Sequence, residues 1–147
     1  MKGIEQEWID GEVTLGAAAN WSADEIRLVS ELGYALAQQG RNTEAIAVFE
    51  GLAAVAPATH YFDSALGALW LRESNYPKAL EHLNAAIDSD TQDLPNRVNR
   101  AETLIHLGDK DAALVDLEFA VGRSSEEPLH QNCITRASAL LATLQTK

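Results

Sequence analysis

Residues 67–86 read GALWLRESNYPKALEHLNAA, and the same chemistry returns when the sequence is shifted by 34 positions in either direction. The shift aligns Gly33, Gly67 and Ala101; Leu36, Trp70 and Leu104; Ala45, Ala79 and Ala113; and Phe49, Leu83 and Leu117. A further column, Gly40, Ser74 and Gly108, falls where one helix must stop and the next begin. Small residues at the Gly67 and Ala79 positions let neighbouring helices approach closely. Large apolar residues at the Trp70 and Leu83 positions fill the space that remains.

Several coincident columns at one fixed period resemble the tetratricopeptide repeat, a 34-residue helical hairpin with a W, L-G, Y, A, F, P signature. The first copy carries Leu32-Gly33, Leu36, Ala45, Phe49 and Pro57, and the second Leu66-Gly67, Tyr76, Ala79 and Leu83. The third copy is weaker, because Arg100 stands where Leu32 and Leu66 stand. The expectation is an all-α solenoid of three repeats, at about 26–59, 60–93 and 94–127 within a repeat region 22–122. An extension at 1–21 precedes it, and a capping helix at 123–147 covers the end of the stack.

Local signals place the helices. Ser22 and Glu25 form a capping-box pattern, so helix begins near Ala23. The hairpins then run over about 23–39 with 42–55, 59–73 with 76–88, and 94–107 with 110–121. Asn75 and Asp109 are caps, and Pro77 sits in a first turn that tolerates it. Turns this short make paired helices antiparallel. Ser124, Ser125, Glu126, Glu127 and Pro128 restart the chain as a helix, with Leu129, Cys133, Ile134, Ala137, Leu140, Leu141 and Leu144 along one stripe.

A chain of 147 residues with 46% hydrophobic and 22% charged residues is that of one folded domain. Its formal charge of −11 opposes nucleic acid and anionic membrane as partners. The first residues carry charges where a signal peptide needs an apolar run, and no stretch has the length of a membrane span, so the expected location is the cytoplasm. Trp8, Val13, Leu15 and Trp21 are apolar surfaces before the repeats, and a dimer contact is the expectation for them. One cysteine, Cys133, excludes an internal disulfide and a cysteine-built zinc site.

Catalysis needs groups brought together, and the sequence offers none. His60, His82, His106 and His130 stand on separate elements without ligand spacing, and solvated or capping roles are expected for them. The aspartates at 88, 90 and 93 resemble a calcium loop only at first sight. Asp93 occupies the glycine position and Asn99 that of the bidentate glutamate, so these acids are read as ending one helix and capping the next. No enzyme, metal or cofactor is expected.

What remains is binding. By the tetratricopeptide resemblance, the groove lined by the first helix of each hairpin takes an extended peptide, with inward positions at Arg27, Ser30, Tyr34, Ala37 and Gln38, then Tyr61, Ser64, Ala68, Leu71 and Arg72, then Pro95, Val98, Glu102, Ile105 and His106. A clamp for a terminal carboxylate needs Lys, Asn and Arg there, and Ser30, Tyr34, Pro95 and Asn99 do not supply it. Small side chains beside Tyr34, Tyr61 and Leu71 suit apolar residues of a ligand, with Arg27, Arg72 and Glu102 fixing its register.

The order of pieces is also similar to one family in particular, the class II chaperones of bacterial type III secretion, which hold translocator proteins before export. The likeness runs through Thr14, Ser22-Ala-Asp24, Leu66 to Trp70, Asn75 to Leu80 and Ala101 to Gly108, over about residues 9–122. It implies a small acidic protein of the bacterial cytoplasm, often dimeric, with a secreted translocator bearing apolar segments as its protein client. Ser30 and Ala37 stand where that family tends to carry aromatic residues. A general tetratricopeptide adaptor for another intracellular complex is the alternative.

Overall fold

The computed structural model describes residues 21–55, 61–123 and 127–146, and among them every regular element is a helix. Three hairpins follow one another: α1 (Ala23–Gln38) with α2 (Asn42–Val55), α3 (Tyr61–Arg72) with α4 (Tyr76–Ser89), and α5 (Leu94–His106) with α6 (Lys110–Val121). The last helix, α7 (Pro128–Gln145), packs on both α5 and α6, as the first helix of a fourth hairpin would. α3 likewise meets α5, and the remaining helix contacts are between neighbours in sequence, as in a one-dimensional stack.

The helix starts follow from side-chain chemistry. Glu25 N–H donates to Ser22 Oγ at 3.2 Å while Ser22 N–H donates to Glu25 Oε1 at 3.3 Å, a complete capping box. Asn75, Asp93 and Asp109 each accept the N–H three residues on, at 3.3, 2.9 and 3.2 Å. Asn75 and Asp109 share a repeat column with Arg41, which instead binds Glu44 through its guanidinium, Nε to Oε1 at 2.8 Å. One expectation is corrected at α7. Glu127 is its N-cap and makes no side-chain cap bond, while Ser124 and Ser125 lie outside the described residues.

Each hairpin turns through one left-handed residue: Gly40 at φ 76°, Ser74 at φ 59° and Gly108 at φ 86°. Only glycine adopts that backbone without its Cβ crowding the carbonyl, so the second hairpin carries strain that the other two avoid. Close helix crossing needs glycine for a different reason. A Cβ on Gly67 would lie 2.6 Å from Leu83, and one on Gly33 would lie 2.8 Å from the Phe49 ring. Phe49, Leu83 and Leu117 are all fully buried.

Two apolar clusters make the core. The first is centred on Phe49, with Val29, Leu36, Leu52, Phe62 and Leu66, and Trp21 packs half-buried against it. The second joins Val98, Leu104 and Leu117 to Cys133 and Ala137 of α7. Burial raises the Cys133 thiol above its ordinary range, in keeping with a packing role. Ile134, Leu140, Leu141 and Leu144 follow on the same side, but Leu129 is 61% exposed, because it stands in the first turn before α7 reaches the stack.

Arg100 finds its explanation in the third hairpin. Asp116 is fully buried and accepts from Arg100 Nε at 2.7 Å and Nη2 at 2.9 Å, and from Arg97 Nη1 at 3.0 Å. Arg97 also donates to the Thr91 carbonyl and lies over the Phe119 ring, 4.4 Å from its centroid. The 34-residue shift shows one helix-to-helix position solved three ways: Val29 with Val48, both buried; Asp63 with His82, Nδ1 to Oδ1 at 2.8 Å; and Arg97 with Asp116. His82 is therefore a hairpin-pairing residue rather than the solvated one expected, and His106 stacks on Tyr76 at 4.3 Å.

Two stability measurements check this account. Ser74→Gly should stabilise the fold by about 0.5–1 kcal/mol in urea unfolding, by releasing the left-handed strain. Asp116→Asn should cost about 3–5 kcal/mol, since it leaves two guanidinium groups in a buried site without their anion. The combined change Arg97→Val, Arg100→Leu and Asp116→Val, which copies the first hairpin, should cost far less than that single change.

Candidate peptide-binding groove

The first helices of the hairpins are not evenly spaced along the inner face. α3 meets α5, and α5 meets α7, whereas α1 and α3 scarcely touch. A cavity of about 120 Å³ opens in that gap, lined by Tyr34 and Ala37 of α1, Phe49 of α2, and Ala65, Ala68, Leu69 and Arg72 of α3. Phe49 and Leu69 are its buried floor. Ala37, Ala65 and Ala68 leave room above that floor, where larger side chains would fill it.

Tyr34 forms one wall. It is 39% exposed and meets Phe49 edge-on, with ring centroids 4.9 Å apart, so the phenol is held at the rim by the core beneath it. Arg72 crosses the far end, its Nη1 donating to the Ala37 carbonyl at 3.3 Å. Both helix ends are thereby tied together while the guanidinium stays at the surface. The lining is apolar with one cation and one phenol at its margins, suited to an aliphatic side chain on an extended backbone.

The other residues expected on this face divide into several groups. Leu71 is half-buried on α3, and Arg27 is exposed one turn into α1, 3.5 Å from Asp24. Ser30 is nearly covered and donates to the Ile26 carbonyl at 2.9 Å, so it offers little surface. Ser64 accepts from Asn96 Nδ2 at 2.8 Å, a bond that closes the face between the second and third hairpins. Tyr61 opens α3, but its side chain lies outside the described residues, as do Trp8, Val13 and Leu15.

The third hairpin requires a correction. Val98 has no exposed surface at all, and Ile105 packs into the cluster that α7 completes. Glu102 Oε2 and Asn99 Oδ1 accept from Arg136 of α7 at 2.8 and 2.9 Å. Val98, Glu102 and Ile105 thus serve the capping helix, because α7 takes the place that a fourth repeat would have. Sequence reasoning in turn missed Phe49, Ala65 and Leu69. Ala65 and Leu69 share a helical stripe with Ala68 and Arg72, which is the signal that would have found them.

Residues 30–93 match the family model for the tetratricopeptide repeat. Over those residues the chain carries tetratricopeptide repeats, and the fold that holds them is a helical-hairpin solenoid. A curated relative, anaphase-promoting complex subunit 3 of Schizosaccharomyces pombe, is 33% identical over 87 residues, which is 59% of this chain and only 13% of that protein's length. Among solved structures, the type III secretion chaperone SycD of Yersinia enterocolitica, in complex with a peptide of the translocator YopD, superposes with a TM-score of 0.76 at 22% identity, covering 84% of this chain and 95% of that one. PcrH of Pseudomonas aeruginosa gives 0.76 at 24% identity, covering 86% and 96%. At these identities the likeness is one of fold, over nearly the whole of each chaperone.

The solenoid's inner cavity exists because alanines stand at 37, 65 and 68. Ala65→Phe should therefore fill it with little loss of stability, since the added ring points into open space between α1 and α3. A melting temperature within a few degrees of the parent, with the Tyr34 fluorescence altered, is the expected outcome.

Proposed function

We propose that this protein is a non-enzymatic peptide-binding chaperone of the bacterial cytoplasm, which holds an extended apolar segment of a secreted translocator before type III export. The observation that carries the reading is the apolar cavity between α1 and α3, open at Tyr34 and floored by Phe49 and Leu69. An extended client would lay an aliphatic side chain into it, and the peptide backbone would run past Arg72. Sequestering such a segment keeps apolar surface out of water and away from membranes until export. Support comes also from the fold shared with SycD, solved with a translocator peptide.

No helix among the described residues is long and apolar enough to cross a membrane. Dimerisation through Trp8, Val13, Leu15 and Trp21 belongs to the same proposal. A second reading, an adaptor within a larger intracellular assembly, draws on the partial match to a long complex subunit. In neither reading does the groove transform its ligand.

Co-expression with a translocator from the same genome, followed by size-exclusion chromatography, tests the proposal. A stable complex that Ala68→Trp weakens by at least about tenfold, with the melting temperature little changed, is expected. Unchanged affinity in that variant would remove the groove from the account. Recovery of a soluble folded partner in place of a client with long apolar segments would favour the adaptor.

A further inference from the structure

A second cavity lies on the outer side, between α4 and α6, and its counterpart one repeat earlier shows why it exists. It measures about 330 Å³ and is lined by Leu80, Asn84, Arg100, Leu104, Ala112, Val115 and Asp116. Shifted back by 34, these positions are Ile46, Glu50, Leu66, Trp70, Lys78, Glu81 and His82. In that earlier place Trp70 fills the groove and Lys78 covers it, its Nζ 4.4 Å from the indole centroid. In the later place Leu104 and Ala112 replace that pair, and the space stays open.

Three exposed replacements share a direction, while Leu66 and His82 become the mutually bonded Arg100 and Asp116 at the base. Three charged positions, Glu50, Lys78 and Glu81, become Asn84, Ala112 and Val115, and Val115 is 62% exposed. Packing does not call for this, because a fold that needed only a closed surface would repeat the Trp and Lys. Arg100 at the base is already committed, to Asp116 and through Nη1 to Asn84 Oδ1 at 3.1 Å. Its guanidinium is held above its ordinary range first by the hydrogen bonds to Asp116 and then, against the opposing effect of burial, by the charges of Asp116 and Asp88.

Charge decides the occupant. Glu81 and Asp88 stand exposed along the crest of α4, and Asp111 and Glu118 along that of α6, so the apolar cavity lies between two acidic rows. Lys78 is on the far side of α4, over Trp70, and helical register puts Lys110 on the far side of α6. A second copy of this chain would bring the same charge of −11 against those rows. We propose that the groove between α4 and α6 is a second docking site, taking an amphipathic segment of a protein partner whose apolar side chains are flanked by Lys and Arg.

This site is separate from the inner groove and does not depend on the chaperone reading. Its test uses the full chain, a fluorescently labelled helical peptide of Leu and Lys residues as probe, and the same peptide with Glu in place of Lys, compared by anisotropy at physiological salt. The Lys peptide should bind the parent and the Glu peptide should not. Val115→Gln, at an exposed helical position that leaves the fold intact and the charge unchanged, should weaken binding about tenfold, and Ala112→Lys should do so further. Ala68→Trp in the inner groove should leave it unchanged. Equal binding of both peptides, no binding, full binding by Val115→Gln, or loss only in Ala68→Trp would each overturn the proposal.

Discussion

The close approach of α1 to α2 at Gly33, and of α3 to α4 at Gly67, is the contact on which the other features rest. A hydrogen in place of a methyl lets Phe49 and Leu83 come within what would be 2.6–2.9 Å of a Cβ. That distance fixes the crossing of the first two hairpins, and each crossing fixes where the next hairpin must sit. Phe49 then has two roles at once. Beneath Gly33 it is the centre of the first core cluster, and its other edge is the floor of the inner cavity, where it props Tyr34 at the rim. The inner cavity is in this sense the exposed edge of the core.

Repetition of the backbone does not repeat the surface. The same helix pair is joined by valines in the first hairpin, by Asp63 and His82 in the second, and by Arg97 and Asp116 in the third. A buried ion pair adds little net stability over apolar residues of similar size, so its presence reflects orientation more than strength. Asp116 holds two guanidinium groups in place, and through Arg100 it fixes Asn84 at the edge of the outer cavity. The inner face likewise changes along the stack. It is open between α1 and α3, tied by Ser64 and Asn96 between α3 and α5, and taken over by Arg136 beyond that.

Such differences set where a ligand can be bound. Under the proposed function, an extended peptide would have its deepest purchase near the amino-terminal end, at Tyr34, Ala37 and Ala68, and would meet α7 by the third hairpin. Arg72, bonded to Ala37, restrains the two helices that form the pocket. A groove held open by its own framework would bind a client without first rearranging, which is the advantage of preorganisation.

The sequence by itself determined the architecture, because a 34-residue period of small and large residues leaves one way to pack helical hairpins, and because Ser22, Asn75 and Asp109 each satisfy backbone N–H groups that a helix start cannot. It also put Tyr34, Ala37, Ala68 and Arg72 on one face, and the structure brings those four around one cavity. What it did not determine was which inward positions stay uncovered. Val98, Glu102 and Ile105 carry the same repeat register, yet α7 claims them, and Phe49 reaches the cavity from a second helix where register alone would not look. Register is a property of one helix at a time and is written along the chain. Exposure depends on the spacing between helices far apart in sequence, and only the packed stack decides that α1 and α3 part while α5 and α7 close.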